Sequence, residues 1–289
     1  MKWFSLKGYV TFPAVFSLLF LLVQFFGCGG APAESSSQKF QNNRIMIAGS
    51  TSIQPIAEKL AEHYAKSHPQ VKIEVQGGGS SAGIQAARSG VAGIGTSSRE
   101  LKEGEKDLFT TILAYDAIVL IVNPANPLND ISIADAARLF SSASPDWKDF
   151  SGGNASAPVT VITREEGSGT RGAFEELVMR TSEISARCLV QDSTGALREI
   201  VADDSNAIGY VSFGAINGRV KPLSVGGIKP VMENMTASDS ARRYKIIRPF
   251  LFVTKKKPDG ACLEFIKYIK SEEGAKLLIQ EGLIPANEK

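Results

Sequence analysis

Three times in this chain an apolar segment runs into a cluster of glycine, serine and threonine and emerges as a helix. The clusters are "AGSTS" at 48–52, "GGGSSAG" at 77–83 and "EGSGTRG" at 166–172. A strand that repeatedly feeds a helix builds a sheet with helices on its faces, so the chain is α/β and not all-β. The other segments keep the same alternation. Strands are expected at 45–47, at "VKIEVQ", where Val71, Ile73 and Val75 share a face, around Ile94, at "AIVLIVNP", at "VTVIT", after Asn206 and at "YKIIRPFLFVTKK". Helices are expected where Ile53, Ile56, Ala57, Leu60, Ala61 and Tyr64 recur at helical spacing, with Pro55 in a first turn that needs no proline N–H. Further helices are expected at "SIADAARLF" with Ser132 as N-cap, at "SGTRGAFEELVMR", at "STGALREIVADD" and at "DGACLEFIKYIK" and "SEEGAKLLIQEGL". A polar helix is predicted near 103–109, and no solenoid-type repeat occurs.

Two long apolar strands, 117–122 and 246–253, divide this pattern and are expected to cross between two lobes. Lobe 1 would then comprise residues 44–120 plus 248–289, and lobe 2 residues 121–247. One continuous sheet is the alternative.

The first 27 residues carry Lys2 and Lys7, no acidic residue, and the apolar run "YVTFPAVFSLLFLLVQFF", the pattern of a signal peptide. The break at Gly27–Cys28 suggests lipoprotein processing, with Cys28 acylated as the first mature residue and 28–43 a polar tether. An uncleaved membrane helix and an ordinary secretory signal are the alternatives. The lipoprotein reading places the rest of the chain outside the cytoplasm, in the periplasm or at the cell surface. Lys plus Arg number 32 and Asp plus Glu 30 in the whole chain, so the part after residue 27 is neutral. A neutral chain excludes a broad nucleic-acid surface, and any affinity for anions must be built locally. With Cys28 lipidated, Cys188 and Cys262 remain, one in each proposed lobe, and both are expected as free thiols.

The three turns supply that local affinity. Glycines let a ligand approach the backbone, hydroxyls donate, and each helix start presents amides and a partial positive charge. Together they suit a tetrahedral oxyanion held without a metal or cofactor. Arg164, just beyond "VTVIT", adds a charge-assisted bond. No G-x-x-x-x-G-K-[ST] occurs, so nucleotide hydrolysis of that class is excluded. "GSSAG" at 79–83 fits a nucleophile elbow with Ser81 as an esterase nucleophile. The only histidines, His63 and His68, precede it, which makes the Ser–acid–His order impossible, and their spacing of five does not suit a helical metal pair.

The segments "IAGSTSIQPIAEKLAEHY", "VQGGGSSAGIQAARSG", "GIGTSSREL", "REEGSGTRGAFEEL", "DDSNAIGYVSFG" and "RPFLFVTK" resemble, in order over residues 44–287, the phosphate-binding proteins of bacterial high-affinity phosphate ABC transporters. The resemblance implies a two-lobed periplasmic-binding-protein fold of type II, with mixed sheets flanked by helices and a ligand cleft at a two-strand hinge. It implies a monomer that captures inorganic phosphate for transmembrane permease subunits and catalyses nothing. By the same resemblance Thr51, Ser52 and Ser80 donate from lobe 1, and Arg164, Ser168, Gly169 and Thr170 from lobe 2. Glu166 is expected to brace the arginine, and Arg171 to add charge. Ser98 stands where well-known members carry an aspartate that accepts the proton of hydrogen phosphate. Asp116, a polar break in an apolar strand, is a candidate to take that role. The alternatives are the same fold with sulfate, molybdate or tungstate, and a phosphate-sensing or adhesion lipoprotein.

Overall fold

The computed structural model describes residues 43–150 and 156–286. The expected signal peptide, Cys28 and the expected tether up to residue 42 lie outside the described residues. The chain opens with β1 (Arg44–Gly49), α1 (Gln54–Ser67), β2 (Lys72–Gly77), α2 (Ser80–Ser89), β3 (Ile94–Ser97) and the long β4 (Phe109–Val122). A second stretch follows: β5 (Asp130–Ile131), α3 (Ile133–Ser141), β6 (Thr160–Arg164), α4 (Gly169–Phe174), β7 (Leu189–Gln191), α5 (Thr194–Asp203), β8 (Ala207–Ser212), β9 (Lys221–Pro222), β10 (Ser224–Val225) and α6 (Met232–Met235). The chain then returns through β11 (Ile247–Thr254) and ends in α7 (Gly260–Lys270), α8 (Glu272–Gln280) and β12 (Ile284–Pro285).

Helix α1 buries Ile56, Ala57, Leu60, Ala61 and Tyr64, the stripe its sequence spacing predicts. Ser132 caps α3, its hydroxyl accepting the Asp135 amide at 2.9 Å. Where α2 crosses the end of β1, a Cβ on Gly83 would stand 2.5 Å from the Ala48 carbonyl oxygen and 2.6 Å from the Gly49 Cα. Only glycine lets that helix lie so close to the strand.

Strand order is β2-β1-β3-β11-β4-β8-β6-β7. Parallel pairing holds β1 to β2 and β3, and β6 to β7 and β8. The central strands run antiparallel to their neighbours. Strand β4 serves both halves: Phe109–Ala117 pairs with β11, and Ile118–Val122 pairs with β8. Hydrogen bonding therefore passes unbroken across the sheet, while the packed interior divides. One core gathers Ile45, Ile47, Leu60, Ala114, Phe250 and Phe265. Another gathers Ala117 to Val122, Phe140, Phe174, Leu197, Tyr210 and Ile246. The two meet between Ala114 and Ala117 on β4 and between Ile246 and Phe250 on β11.

One predicted element is absent. The expected helix near 103–109 is a single 3-10 turn, Glu103–Glu105, and β4 begins at Phe109. The Glu105 carboxylate accepts from the Lys102 amide and from Arg99, which closes the turn after three residues. The β-branched "FTTI" that follows then pairs with β11. Cys188 and Cys262 are free, and they pack against different cores.

Candidate anion-binding site

The end of β6 places Arg164 between the two cores, 1% exposed. Its Nε and Nη2 donate to Glu165 at 2.9 and 3.0 Å. Its Nη1 donates to the Thr194 hydroxyl at 3.0 Å and its Nη2 to the Thr51 hydroxyl at 3.1 Å. The carbonyls of Gln191 and Asp192 take further bonds at 3.2 and 3.3 Å. Thr51 follows β1 and Thr194 opens α5, so one guanidinium grips elements of both halves.

Hydroxyls surround it. Ser52 Oγ lies 2.8 Å from Thr170 Oγ1 and 3.1 Å from Thr194 Oγ1. Ser80 Oγ accepts the Ser98 amide at 3.0 Å and stands 3.4 Å from Ser98 Oγ. Ser50 donates to Ser98 Oγ at 2.9 Å. Ser168 caps α4 by accepting the Arg171 amide at 3.2 Å. Behind that cap, a Cβ on Gly169 would stand 2.2 Å from Ser80 Oγ and 2.6 Å from Ser98 Oγ. The Ser81 amide donates to the Gly167 carbonyl at 3.1 Å, joining the second turn to the third. The three Gly/Ser/Thr turns thus meet at one place, and Thr51, Ser52, Ser80, Ser98, Arg164, Ser168, Gly169 and Thr170 are together there. A buried guanidinium among hydroxyls and helix-start amides is chemically suited to an oxyanion.

Asp116 is not part of this cluster. It is fully buried at the strand crossover, where its Oδ2 accepts Arg248 Nη2 and Nε at 2.8 and 3.0 Å. Its Oδ1 accepts the Ser212 hydroxyl and the Phe213 amide. Burial pushes this carboxyl up and the Arg248 guanidinium down, and each charge opposes the other's shift. With its lone pairs committed, Asp116 does not supply the acceptor expected of it. Tyr210 backs the site: its phenol lies 2.7 Å from Thr163 Oγ1 and accepts the Arg164 amide, and burial pushes it up to about 12.

Residues 31–273 match the PBP superfamily domain. Phosphate-binding protein PstS of Bacillus subtilis is 30% identical over 274 residues, covering 90% of this chain and 89% of that protein. The chain belongs to the PBP superfamily and, within it, to the PstS family. Two solved structures extend the likeness. A Clostridium perfringens protein described as a phosphate ABC transporter substrate-binding protein, with bound phosphate, has 37% identity and a TM-score of 0.80 over 85% of this chain and 100% of that one. An ABC-type phosphate transport receptor from Vibrio cholerae has 34% identity and a TM-score of 0.68 over 84% and 100%.

In this PstS-family chain the brace on the arginine is Glu165 and not Glu166. The Glu165 amide continues the β6–β7 ladder to the Gln191 carbonyl, and the Ser168 amide closes a turn on the Glu165 carbonyl. That puts Glu166 at the exposed tip. Arg171 also turns from the hydroxyls, its Nε donating to Glu175 at 2.8 Å and its Nη1 to the Arg164 carbonyl at 3.1 Å. Ser81 takes a 3.4 Å contact from Arg99, while His68 stacks on Tyr64, so the esterase arrangement does not form. Among the described residues, no group of three His, Cys, Asp or Glu can hold a metal. Sequence reasoning missed Ser50, Thr194, Glu165 and Arg248. Thr194 had a signal, since "DSTG" at 192–195 is a fourth hydroxyl- and glycine-rich turn between strand and helix. Arg248 had one too: it is a lone charge in an apolar strand, as Asp116 is in the other.

Proposed function

We propose that this chain captures inorganic phosphate between its two halves and presents it to the permease of an ABC transporter. It binds its solute and is not an enzyme. The observation that carries the reading is Arg164, which donates to Thr51 of one half and Thr194 of the other from within a shell of buried hydroxyls. Thr51, Ser52, Ser80, Ser98, Arg164, Ser168, Gly169 and Thr170 form the cage. Two lobes close on it about β4 and β11, a reading supported by the division of the cores between Ala114 and Ala117, a few residues before the boundary read from sequence. Cys28 carries the lipid anchor that keeps the protein outside the cytoplasm and next to its permease. Among the described residues no helix is long and apolar enough to cross a membrane, so attachment falls to the N-terminus in this reading.

Selectivity follows from the acceptors. A hydroxyl accepts a proton-bearing phosphate oxygen as well as donating to a bare one, whereas an ionised carboxylate only accepts. With Ser98 in place of an aspartate, sulfate is rejected less steeply, and Glu165 is the nearest carboxylate to the guanidinium. Titration calorimetry of the mature protein with phosphate, sulfate and molybdate tests the reading. Saturable phosphate binding is expected, at least tenfold weaker in Arg164→Ala and Ser168→Ala, about 1.4 kcal/mol. No phosphate binding, or sulfate binding of equal strength, defeats it.

A further inference from the structure

One edge of the first half points away from the cage. Strands β1 to β4 run in one direction there and β11 in the other, so Arg44, Lys72, Phe109 and the turn after Thr254 come out together. The anion turns at 48–52 and 77–83 leave the opposite ends of β1 and β2. The six residues of β1 put about 17 Å between this edge and the cage.

The edge is basic. Arg44, Lys72, Lys255, Lys256 and Lys257 are exposed along it. Glu74 is shared by Arg44 at 2.6 Å and Lys72 at 2.8 Å, and Asp259 takes Lys256 at 2.7 Å. Arg88 and Asp107 beside them cancel each other. Lys255 and Lys257 have no ion pair among the described residues. The turn that carries them is held in shape by the Thr254 hydroxyl, which donates to the Lys256 carbonyl at 2.7 Å. The chain after residue 27 is neutral, so this excess is local. Gly90 and Ala92 line a cavity with the three lysines, and Val91 between them is 76% exposed.

The same edge is where the chain arrives from Cys28. Residues 28–42 lead through Asn43 into β1, and fully extended they span about 50 Å. An acylated Cys28 therefore keeps this edge within that distance of a bilayer. Consecutive lysines, flexible and strongly hydrated, suit a diffuse negative surface better than the fitted, desolvated core of a protein interface, where lysine is depleted.

We propose that this edge docks on the anionic headgroups of the membrane that holds the anchor. The proposal rests on the reading of Cys28 as the lipid anchor, which brings the bilayer within reach. The lysines then meet the negative leaflet and Val91 enters the headgroup layer. Docked this way, the first half stands on the bilayer and the cage lies clear of it.

Cosedimentation with vesicles of pure phosphatidylglycerol and of pure phosphatidylcholine tests this. The protein is the mature chain, 28–289, carrying Cys28→Ser, so that no acyl chain contributes. It is expected to sediment with phosphatidylglycerol at low salt and not with phosphatidylcholine. Adding Lys255→Glu with Lys257→Glu is expected to lower the bound fraction at least fivefold. Adding Arg187→Glu with Lys229→Glu, the same charge change on exposed residues of the second half, is expected to lower it less than twofold. Both doubles are expected to keep phosphate affinity and the urea midpoint. Equal binding to the two vesicles, no binding to phosphatidylglycerol, or an equal loss in both doubles overturns the inference. An unacylated Cys28 in the wild-type mature protein, read by mass spectrometry, removes the anchor reading, and the vesicle result still decides whether the edge binds anionic lipid.

Discussion

Arg248 and Asp116 face each other across β11 and β4 at the point where both strands pass from one core to the other, with side chains 1% and 0% exposed. The pair does more than neutralise itself. Arg248 Nη1 donates to the Ser98 carbonyl at 3.1 Å, and Asp116 accepts from Ser212 and Phe213. A buried chain of bonds therefore runs from the cage through the crossover to the end of β8. Removing one partner strands a charge in a dry interior, so Arg248→Met and Asp116→Leu are each expected to cost about 3–5 kcal/mol. The double variant Arg248→Met with Asp116→Leu is expected to lose much less than the sum of the singles, because no charge is left unpaired. Urea unfolding of the variants measures this, and strict additivity would show the two residues to be uncoupled.

Glu165 and Glu166 are adjacent in sequence and opposite in environment. Glu165 holds two nitrogens of Arg164, whereas Glu166 is exposed. A guanidinium that loses a bidentate partner is held less firmly, here by its remaining bonds to Thr51, Thr194 and the Gln191 and Asp192 carbonyls. Glu165→Ala is expected to weaken phosphate binding at least fivefold, and Glu166→Ala to change it less than twofold. Calorimetry that finds the larger effect at Glu166 would restore the assignment made from sequence.

Gly169 marks where the two halves touch. A methyl group there would overlap Ser80 Oγ and Ser98 Oγ, which are buried and bonded and cannot swing away. Overpacking of this kind costs about 1–3 kcal/mol. The cost falls on the closed arrangement, so Gly169→Ala is expected to lower phosphate affinity at least fivefold while unfolding in urea shifts little. Gly195, where an added Cβ meets nothing within 4 Å, is the control, and Gly195→Ala is expected to bind normally.

The fold was legible where local chemistry and burial agree. The α1 stripe, the Ser132 cap and the three anion turns all follow from spacing and side-chain type, and the structure brings the turns together. The first half of β4 was not legible, because Phe109, Ile112 and Tyr115 are each more than a third exposed and the strand has no clean buried face. Its identity comes from β11, a partner some 130 residues away in the chain. Glu165 was missed for a related reason. Which of two neighbouring glutamates folds back depends on the ladder from Glu165 to Gln191, a pairing that sequence spacing does not carry. The roles of Asp116 and Arg248 likewise depend on register between distant strands.

Next to the cage, Arg99 and Glu105 make another well-buried ion pair, with side chains 7% and 13% exposed. Arg99 donates to the carboxylate at 2.7 and 3.0 Å and the Lys102 amide adds a bond at 2.8 Å, which holds Glu105 below the usual carboxylate range. A carboxyl whose value is lower folded than unfolded contributes its stability in full above the ordinary value of 4.5. That contribution drains away as pH falls through the folded value, because the native state must then take up a proton it binds poorly. Unfolding free energy should therefore decline with acid below about pH 4.5. Glu105→Gln should lower stability at pH 7 by about 1.5 kcal/mol, since charge-assisted bonds become neutral ones, and flatten the acid decline. Urea titrations at pH 7, 5, 4 and 3 read both effects. Curves for the wild-type protein and the variant that stay parallel over this range would mean that Glu105 does not titrate against Arg99.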